Sequence, residues 1–255
     1  MSFENKVVLI TGAAGGIGIA AAKKFAAAGA HLALVDLSKE ALEKISAEIN
    51  GETLLIDADV SNEKDVENYV QKTLDKFGKI DVFVNNAGIN GDFANIVDQT
   101  VENYKKVMDV NLIGAFLGLK YVMKTMMGQK SGVIVNTASN GGLLGAPGMS
   151  AYVSSKHALI GLSKTAALEA APYNIRVNSV APSGVDTAMM RSIETNSAKG
   201  HEKEAREAFE AAVPLKRYAR ADEIANLMYF LASDDASFIT GAYYRIDGGG
   251  GASSV

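Results

Sequence analysis

The stretch Thr11-Gly12-Ala13-Ala14-Gly15-Gly16-Ile17-Gly18 sets the reading of everything around it. The apolar run that enters it, Val7 to Ile10, is too short for a helix. Beyond it, Ile17, Ala20, Ala21, Phe25 and Ala28 recur at helical spacing. The unit is a buried strand, a glycine-rich turn and a helix. Glycines let such a turn tighten and bring its amides close to a pyrophosphate, and the helix N-terminus adds a dipole that favours negative charge. Tight turns that bind nothing also use glycine, so position matters more than composition. Here Asp36 closes the next apolar run, about 20 residues on, where a carboxylate can bind ribose hydroxyls. A helix N-terminal role for Asp36 is the plainer alternative, with Ser38 as the cap. A carboxylate there repels the extra phosphate of NADP, no arginine lies nearby, and only Lys39 is close, so the cofactor predicted is NAD.

Outward from that unit the same alternation continues. Leu32 to Val35 reads as a strand, and Leu42, Ile45 and Ile49 as one face of a helix. Leu54 to Ile56 is the next strand, followed by a helix with Val66, Val70, Leu74 and Phe77 on one side and Gly78 as its stop. Ile80 to Val84 follows as a strand, then a long helical pattern over about 101 to 127, a strand at Val133 to Val135 and a helix from about Ser150. Val177 to Val180 and Tyr243 to Ile246 are the last strands, with a helix at Asp222 to Leu231 between them. Short apolar strands alternating with amphipathic helices predict an α/β, doubly wound parallel sheet of the Rossmann-like kind. No repeat, linker or boundary interrupts it, so residues 1–255 are read as a single domain. Residues 188–213 break the rhythm with Met189, Met190 and a charged helical piece from Glu202 to Glu210, and are expected to form a substrate lid. Gly248 to Gly251 reads as a flexible turn or tail.

Composition narrows the partners. The chain has 255 residues, 48% hydrophobic and 21% charged, and a net charge of -4 that offers nothing to polyanions, so nucleic acid is not expected. With no cysteine there is no disulfide framework and no thiolate metal site, which fits a reducing compartment. No stretch approaches the ~18 uninterrupted apolar residues of a membrane span. A cytoplasmic location and no membrane partner are expected. His31, His157 and His201 lack ligand spacing and no metal is assigned. Met123, Met126 and Met127 sit at helical spacing and read as packing. The charges from Lys199 to Glu210 read as a solvated helix face opposite Ala205, Phe209 and Ala212.

The spacing Thr-Gly-x-x-x-Gly-x-Gly of the first turn resembles that of the short-chain dehydrogenase/reductase family, and its other motifs follow in order over nearly the whole chain. The resemblance implies cofactor contacts at Gly12, Gly16, Ile17, Gly18, Asp36 and Leu37, at Asp59-Val60 for the adenine, and at Asn86, Ala87 and Gly88 within Asn85-Asn86-Ala87-Gly88. It implies a catalytic tetrad of Asn111, Ser139, Tyr152 and Lys156, with Tyr152 and Lys156 also at the cofactor. Pro182, Val185 and Thr187 resemble the segment that holds the nicotinamide carboxamide. Where the family has glycine directly after that proline, this chain has Ser183 and then Gly184. Pro214-Leu215-Lys216-Arg217, Asp222-Glu223-Ile224-Ala225 and Asp247-Gly248-Gly249 are similar to its C-terminal pattern. Among members, the sequence is most like bacterial reductases of cyclic ketones and diketones. In the family the helices at about 101 to 127 and 150 to 170 build a subunit interface, which implies a homotetramer, with a dimer as the alternative.

The chemistry expected is interconversion of a secondary alcohol and a ketone. A ketone needs a hydride donor, which NADH supplies, and a proton donor, for which Tyr152 is the candidate. A free tyrosine has a pKa of about 10, and Lys156, four residues along the same helix, is expected to lower it and to hold ribose hydroxyls. Ser139, at a strand's C-terminal end, can orient the carbonyl oxygen. The family role of Asn111 is to hold a water in a proton relay. Each has a bland reading, Tyr152 and Lys156 as an exposed pair and Ser139 as a turn cap. Their coincidence with the glycine turn, and Ser139 thirteen positions before Tyr152, favours function. Ile89, Asn90, Phe93, Gly141 to Met149, Met189 and Met190 are the expected pocket wall, mostly apolar and suited to a small or medium, apolar or cyclic ketone or its alcohol. The alternatives are a ketoacyl reductase or sugar dehydrogenase of the same fold, or a nucleotide-sensing protein without catalysis.

Overall fold

The computed structural model describes residues 2–252. They form a seven-stranded, wholly parallel sheet made of β1 (Val7–Thr11), β2 (His31–Asp36), β3 (Thr53–Asp57), β4 (Val82–Asn85), β5 (Gly132–Thr137), β6 (Ile175–Pro182) and β7 (Tyr243–Ile246), in the order β3-β2-β1-β4-β5-β6-β7. The helices between them are α1 (Gly16–Ala27), α2 (Lys39–Ser46), α3 (Glu63–Phe77), α4 (Val101–Met108), α5 (Gly114–Gln129), α6 (Ser150–Ala170), α7 (Ala188–Ser197), α8 (Glu202–Ala212) and α9 (Ala221–Ala232). Alternate strand residues go to opposite faces, so both sides of the sheet are packed. Val8, Ile10, Leu32 and Leu34 join Ala21 and Phe25 of α1 and Ile224 and Met228 of α9. Leu9, Ala33, Val35 and Phe83 join Val66 of α3, Leu117 and Met126 of α5 and Ala166 of α6. Each of the buried Val, Leu, Ile, Phe and Met side chains contributes about 1.5–3 kcal/mol by leaving water, and the alanines less. This is the doubly wound, single-domain architecture read from the sequence.

Local chemistry fixes the helix ends. Ser38 caps α2 by accepting from Ala41 N at 3.3 Å, and Asn62 caps α3 by accepting from Lys64 N at 3.0 Å. Gly78 ends α3 in the left-handed region at φ 77°. The chain order reverses between β1 and β4, and the C-terminal residues Thr11, Asp36, Asn85, Thr137 and Pro182 meet along one edge of the sheet, where open α/β sheets bind ligands.

Three expectations change. The long helix over 101 to 127 is α4 and α5 joined by a wider π-helical turn, Asp109–Ile113, which turns Asn111 fully inward. The Gly248 to Gly251 stretch is an ordered turn, because the carboxylate of buried Asp247 accepts from Gly249 N at 3.1 Å and Gly251 N at 2.8 Å. On α8, Ala212 is exposed, and the opposite, charged face is partly engaged: Arg206 reaches Asp186 at 3.5 Å and Glu210 at 2.9 Å.

Candidate active site

A cleft of about 1070 Å³ opens over the switch between β1 and β4. Its floor at one end is the glycine turn. Gly12 sits at φ +62°, and a Cβ there would stand 2.8 Å from Ala87 Cα, so only bare backbone fits between β1 and the segment after β4. Gly18, expected as a cofactor contact, does not line the cleft; it is buried, and a Cβ would strike Gly12 O and lie 2.8 Å from Ala13 Cα. Its work is to let α1 close onto the turn. The α1 N-cap is Gly15, so no side chain caps the first-turn amides beside the cleft. Thr11, which the sequence reading passed over, ties the turn to the next segment, its Oγ1 accepting from Asn86 N at 3.0 Å and Ala87 N at 3.2 Å. Asn86 Nδ2 donates back to Thr11 O and Gly12 O at 3.2 and 3.1 Å.

Asp36 lies at the rim of this end, with Oδ2 accepting from Ala14 N at 2.9 Å and Oδ1 from Leu37 N at 2.8 Å. Since Ser38 is the cap of α2, the carboxylate is not used for that purpose and faces the turn. Leu37, Asp59, Val60, Gly16 and Ile17 complete this half of the wall. Asp59 is oriented by Ser61, whose hydroxyl donates to Asp59 Oδ1 at 2.7 Å.

At the other end Ser139, Tyr152 and Lys156 converge. Lys156 is 4% exposed, so the exposed-pair reading fails. Its Nζ donates to Thr137 O at 2.8 Å and lies 5.7 Å from the centroid of the Tyr152 ring. Burial pushes its pKa down to about 8. The Tyr152 phenol is raised by burial and partly drawn back by its hydrogen bond to Ser139. In place of the expected lowering by Lys156, whose ammonium sits over the ring, desolvation prevails. Ser139 Oγ also accepts from Gly141 N at 3.0 Å, so the turn-cap role and the phenol contact coexist. Asn111 does not line the cleft. Its Oδ1 accepts from Ile89 N at 2.8 Å, and its Nδ2 donates to Ile89 O at 2.8 Å and Ser155 Oγ at 3.1 Å, so both amide donors brace neighbours. Gly88 runs between it and Lys156, where a Cβ would lie 3.2 Å from Asn111 Oδ1 and 3.4 Å from Lys156 Nζ. Thr137, a second residue without a sequence signal beyond its strand-end position, donates to Asn86 Oδ1 at 3.0 Å.

Residues 12–250 match a family model described as enoyl-(acyl carrier protein) reductase. Levodione reductase of Leifsonia aquatica is 43% identical over 97% of this chain and 94% of its own, and a crystal structure of levodione reductase superposes with TM-score 0.97 over 98% of this chain and 99% of that one. Meso-2,3-butanediol dehydrogenase of Serratia marcescens is 38% identical over 99% and 97% of the two chains. A crystal structure of NAD+-bound xylitol dehydrogenase, 40% identical, matches with TM-score 0.93 over 98% and 100%. The chain belongs to the short-chain dehydrogenase/reductase family.

Its departure from the family's pattern after Pro182 has a physical account. Ser183 N continues the pairing with β7 by donating to Ile246 O at 3.3 Å, and the bare position is Gly184, where a Cβ would stand 2.7 Å from Tyr218 Cδ1. Pro182, Val185 and Thr187 all line the cleft, as do Asn86, Ala87 and Gly88. The cleft wall also includes Ile89, Gly141, Ala146, Met149, Met189 and Met190, together with Ile193, Phe209 and Val213 from the α7–α8 segment. Asn90, Phe93 and residues 142–145, 147 and 148 were expected there but lie outside the lining; Asn90 Nδ2 instead donates to Ser192 Oγ on α7 at 3.3 Å, and Phe93 packs beside Gly148. Among the described residues no helix is long and apolar enough to cross a membrane.

Proposed function

We propose that this chain interconverts a small or medium, apolar or cyclic ketone and its secondary alcohol, with Tyr152 as general acid and base. Membership of the family makes it an NAD-dependent alcohol dehydrogenase or carbonyl reductase. The observation that carries the finer reading is the hydrogen-bonded pair Ser139 and Tyr152 at the end of a cleft whose nearby wall is Ile89, Met149, Met189 and Ile193. A carbonyl compound finds there two hydroxyls for its oxygen and apolar surface for the rest.

The cleft suits NAD(H) on its own terms. It exceeds the ~300–1,000 Å³ of ordinary ligand pockets, offers uncapped helix amides at one end, and has a carboxylate where a 2′-phosphate would meet repulsion. Gly12, Gly16 and Ile17 would hold the pyrophosphate, Asp36 and Leu37 the adenosine ribose, Asp59 and Val60 the adenine. Asn86, Ala87 and Gly88 line the middle, with Tyr152 and Lys156 at the nicotinamide ribose and Pro182, Val185 and Thr187 at the carboxamide. When bound, the cofactor supplies or accepts the hydride at the carbonyl carbon. Ser139 Oγ orients the carbonyl oxygen, and Tyr152 Oη delivers a proton to it. Burial keeps that phenol protonated at neutral pH, ready for reduction. Lys156 braces the cleft floor through Thr137 O, and Asn111 fixes the Ile89 backbone at the pocket wall. The α7–α8 segment, within residues 188–213, is the lid that covers the substrate, since Met189, Ile193, Phe209 and Val213 meet the cleft while its outer face is charged.

The test is oxidation of NADH and NADPH by the purified protein against cyclic ketones, diketones, ketoacyl thioesters and keto sugars. NADH-selective turnover of the first two groups is expected; preference for ketoacyl thioesters or keto sugars overturns the substrate class, and preference for NADPH overturns the role of Asp36. A homotetramer goes with this reading, supported by the exposed Ile113 and Phe116 around the start of α5 and Leu168 on α6. Light scattering should return four chain masses. A cytoplasmic location fits the absence of cysteine and is checked by fractionation.

A further inference from the structure

Tyr218 lines the cleft and contacts both the Pro182–Thr187 segment and the α7–α8 segment. Its ring covers Gly184, and the backbone beside it is zipped to the same segment: Ala219 N donates to Gly184 O at 2.9 Å and Asp186 N donates to Ala219 O at 2.9 Å. Its hydroxyl donates at 2.9 Å to Oε1 of Glu194, a carboxylate on α7 that is 3% exposed. The other oxygen of Glu194 takes Arg191 at 3.1 Å. The guanidinium groups of Arg191 on α7 and Arg206 on α8 each lie 5.5 Å from the Tyr218 ring centroid, and both arginines reach Asp186, at 2.8 and 3.5 Å. Helix α7 therefore has two working faces. Met189 and Ile193 meet the cleft, while Glu194 is anchored to Tyr218.

A tyrosine has two side-chain torsions, so a ring fixed at one face and a hydroxyl fixed at its tip transmit position with little slack. A buried carboxylate that loses a donor must find water or move, and here movement carries α7 with it. We propose that Tyr218 is a positioning residue that pins the lid helix α7 to the Pro182–Thr187 segment, so that the carbonyl pocket closes in register with the nicotinamide half of the cofactor. This rests on the reading of that segment as the nicotinamide contact.

The experiment compares NADH with ADP, which occupies only the adenosine half, by titration calorimetry, and follows tryptic cleavage within residues 188–213 in the presence of NADH. Tyr218→Phe is expected to weaken NADH about tenfold and speed that cleavage about tenfold, with ADP affinity unchanged. Glu194→Leu cuts the same bond from the other side without leaving a charge buried, and is expected to reproduce the loss. Glu194→Gln keeps an acceptor for the hydroxyl and should stay within about twofold of wild type. If wild type binds no NADH, the cofactor reading fails and this proposal with it. If wild type binds NADH and Tyr218→Phe and Glu194→Leu match it in both readouts, the proposal alone is overturned. An equal loss of ADP binding, or a tenfold loss in Glu194→Gln, also overturns it, by assigning the effect to general damage or to charge.

Discussion

Lys156 keeps an ammonium where water scarcely reaches, and its effect on stability follows from that burial. Burial lowers its pKa from the ordinary 10.5 to about 8 in the folded chain. The unfolded chain therefore holds the proton more tightly. Between about pH 8 and 10.5 unfolding takes up a proton, so stability rises with pH across that window, and below pH 8 the full deficit is present. A shift of this size is worth about 3 kcal/mol, and the residue's near-complete burial leaves little solvent screening to reduce it. Lys156→Met preserves length and removes the titration. Urea unfolding of both proteins at pH 7 and pH 9.5, at one protein concentration, isolates the effect because the other titrating groups are common to both. Wild type should gain about 2 kcal/mol over the variant between those two pH values. The variant also gives up the bond to Thr137 O, which shifts its stability equally at both pH values and leaves the difference intact. Parallel pH curves refute the reasoning, and a larger gain in the variant reverses its sign.

Two further substitutions separate chemistry from architecture. Tyr152→Phe removes only the proton donor, so ketone reduction should fall about 10²–10⁴-fold while NADH affinity by fluorescence titration holds within a few-fold; near-normal turnover would show that another group delivers the proton. Gly18→Ala sets a Cβ against Gly12 O and Ala13 Cα, both backbone, so α1 must lift from the turn. The expected loss is ~1–3 kcal/mol of unfolding free energy together with weaker NADH binding, and a variant as stable and as tight as wild type would disprove the packing.

The elements that were legible are those whose signal is local. In β1, Val8 and Ile10 face one core and Leu9 the other, so a strand covered on both sides reads as an unbroken apolar run. The α3 helix shows its stripe and its Gly78 stop in the sequence itself. The order Thr11 to Gly18, then Asp36, then the Asn85 to Gly88 segment placed the cleft, because each follows a strand end and strand ends in a parallel sheet share an edge. The turn at Gly248 to Gly251 was not legible. Its glycines suggest freedom, and only the tertiary position of Asp247 supplies the carboxylate that orders them.

The same boundary runs through the candidate site. Four-residue spacing on α6 does put Tyr152 and Lys156 on one face, but spacing fixes a face and not a reach. The Nζ finds Thr137 O, a group contributed by β5 and invisible from the helix, and stands over the Tyr152 ring. Asn111 shows the complementary case, a partner set that the sequence does not name. A π-helical turn adds one residue to the hydrogen-bonded ring without interrupting the run of helical dihedrals, so the apolar pattern of α4 and α5 passes through it unmarked. The turn nevertheless decides what the asparagine does, because it aims the amide at both backbone groups of Ile89. Where a side chain's partner is a backbone atom from a distant strand or loop, residue type and spacing can nominate the residue but cannot assign its work, and the charge state that governs catalysis depends on that assignment.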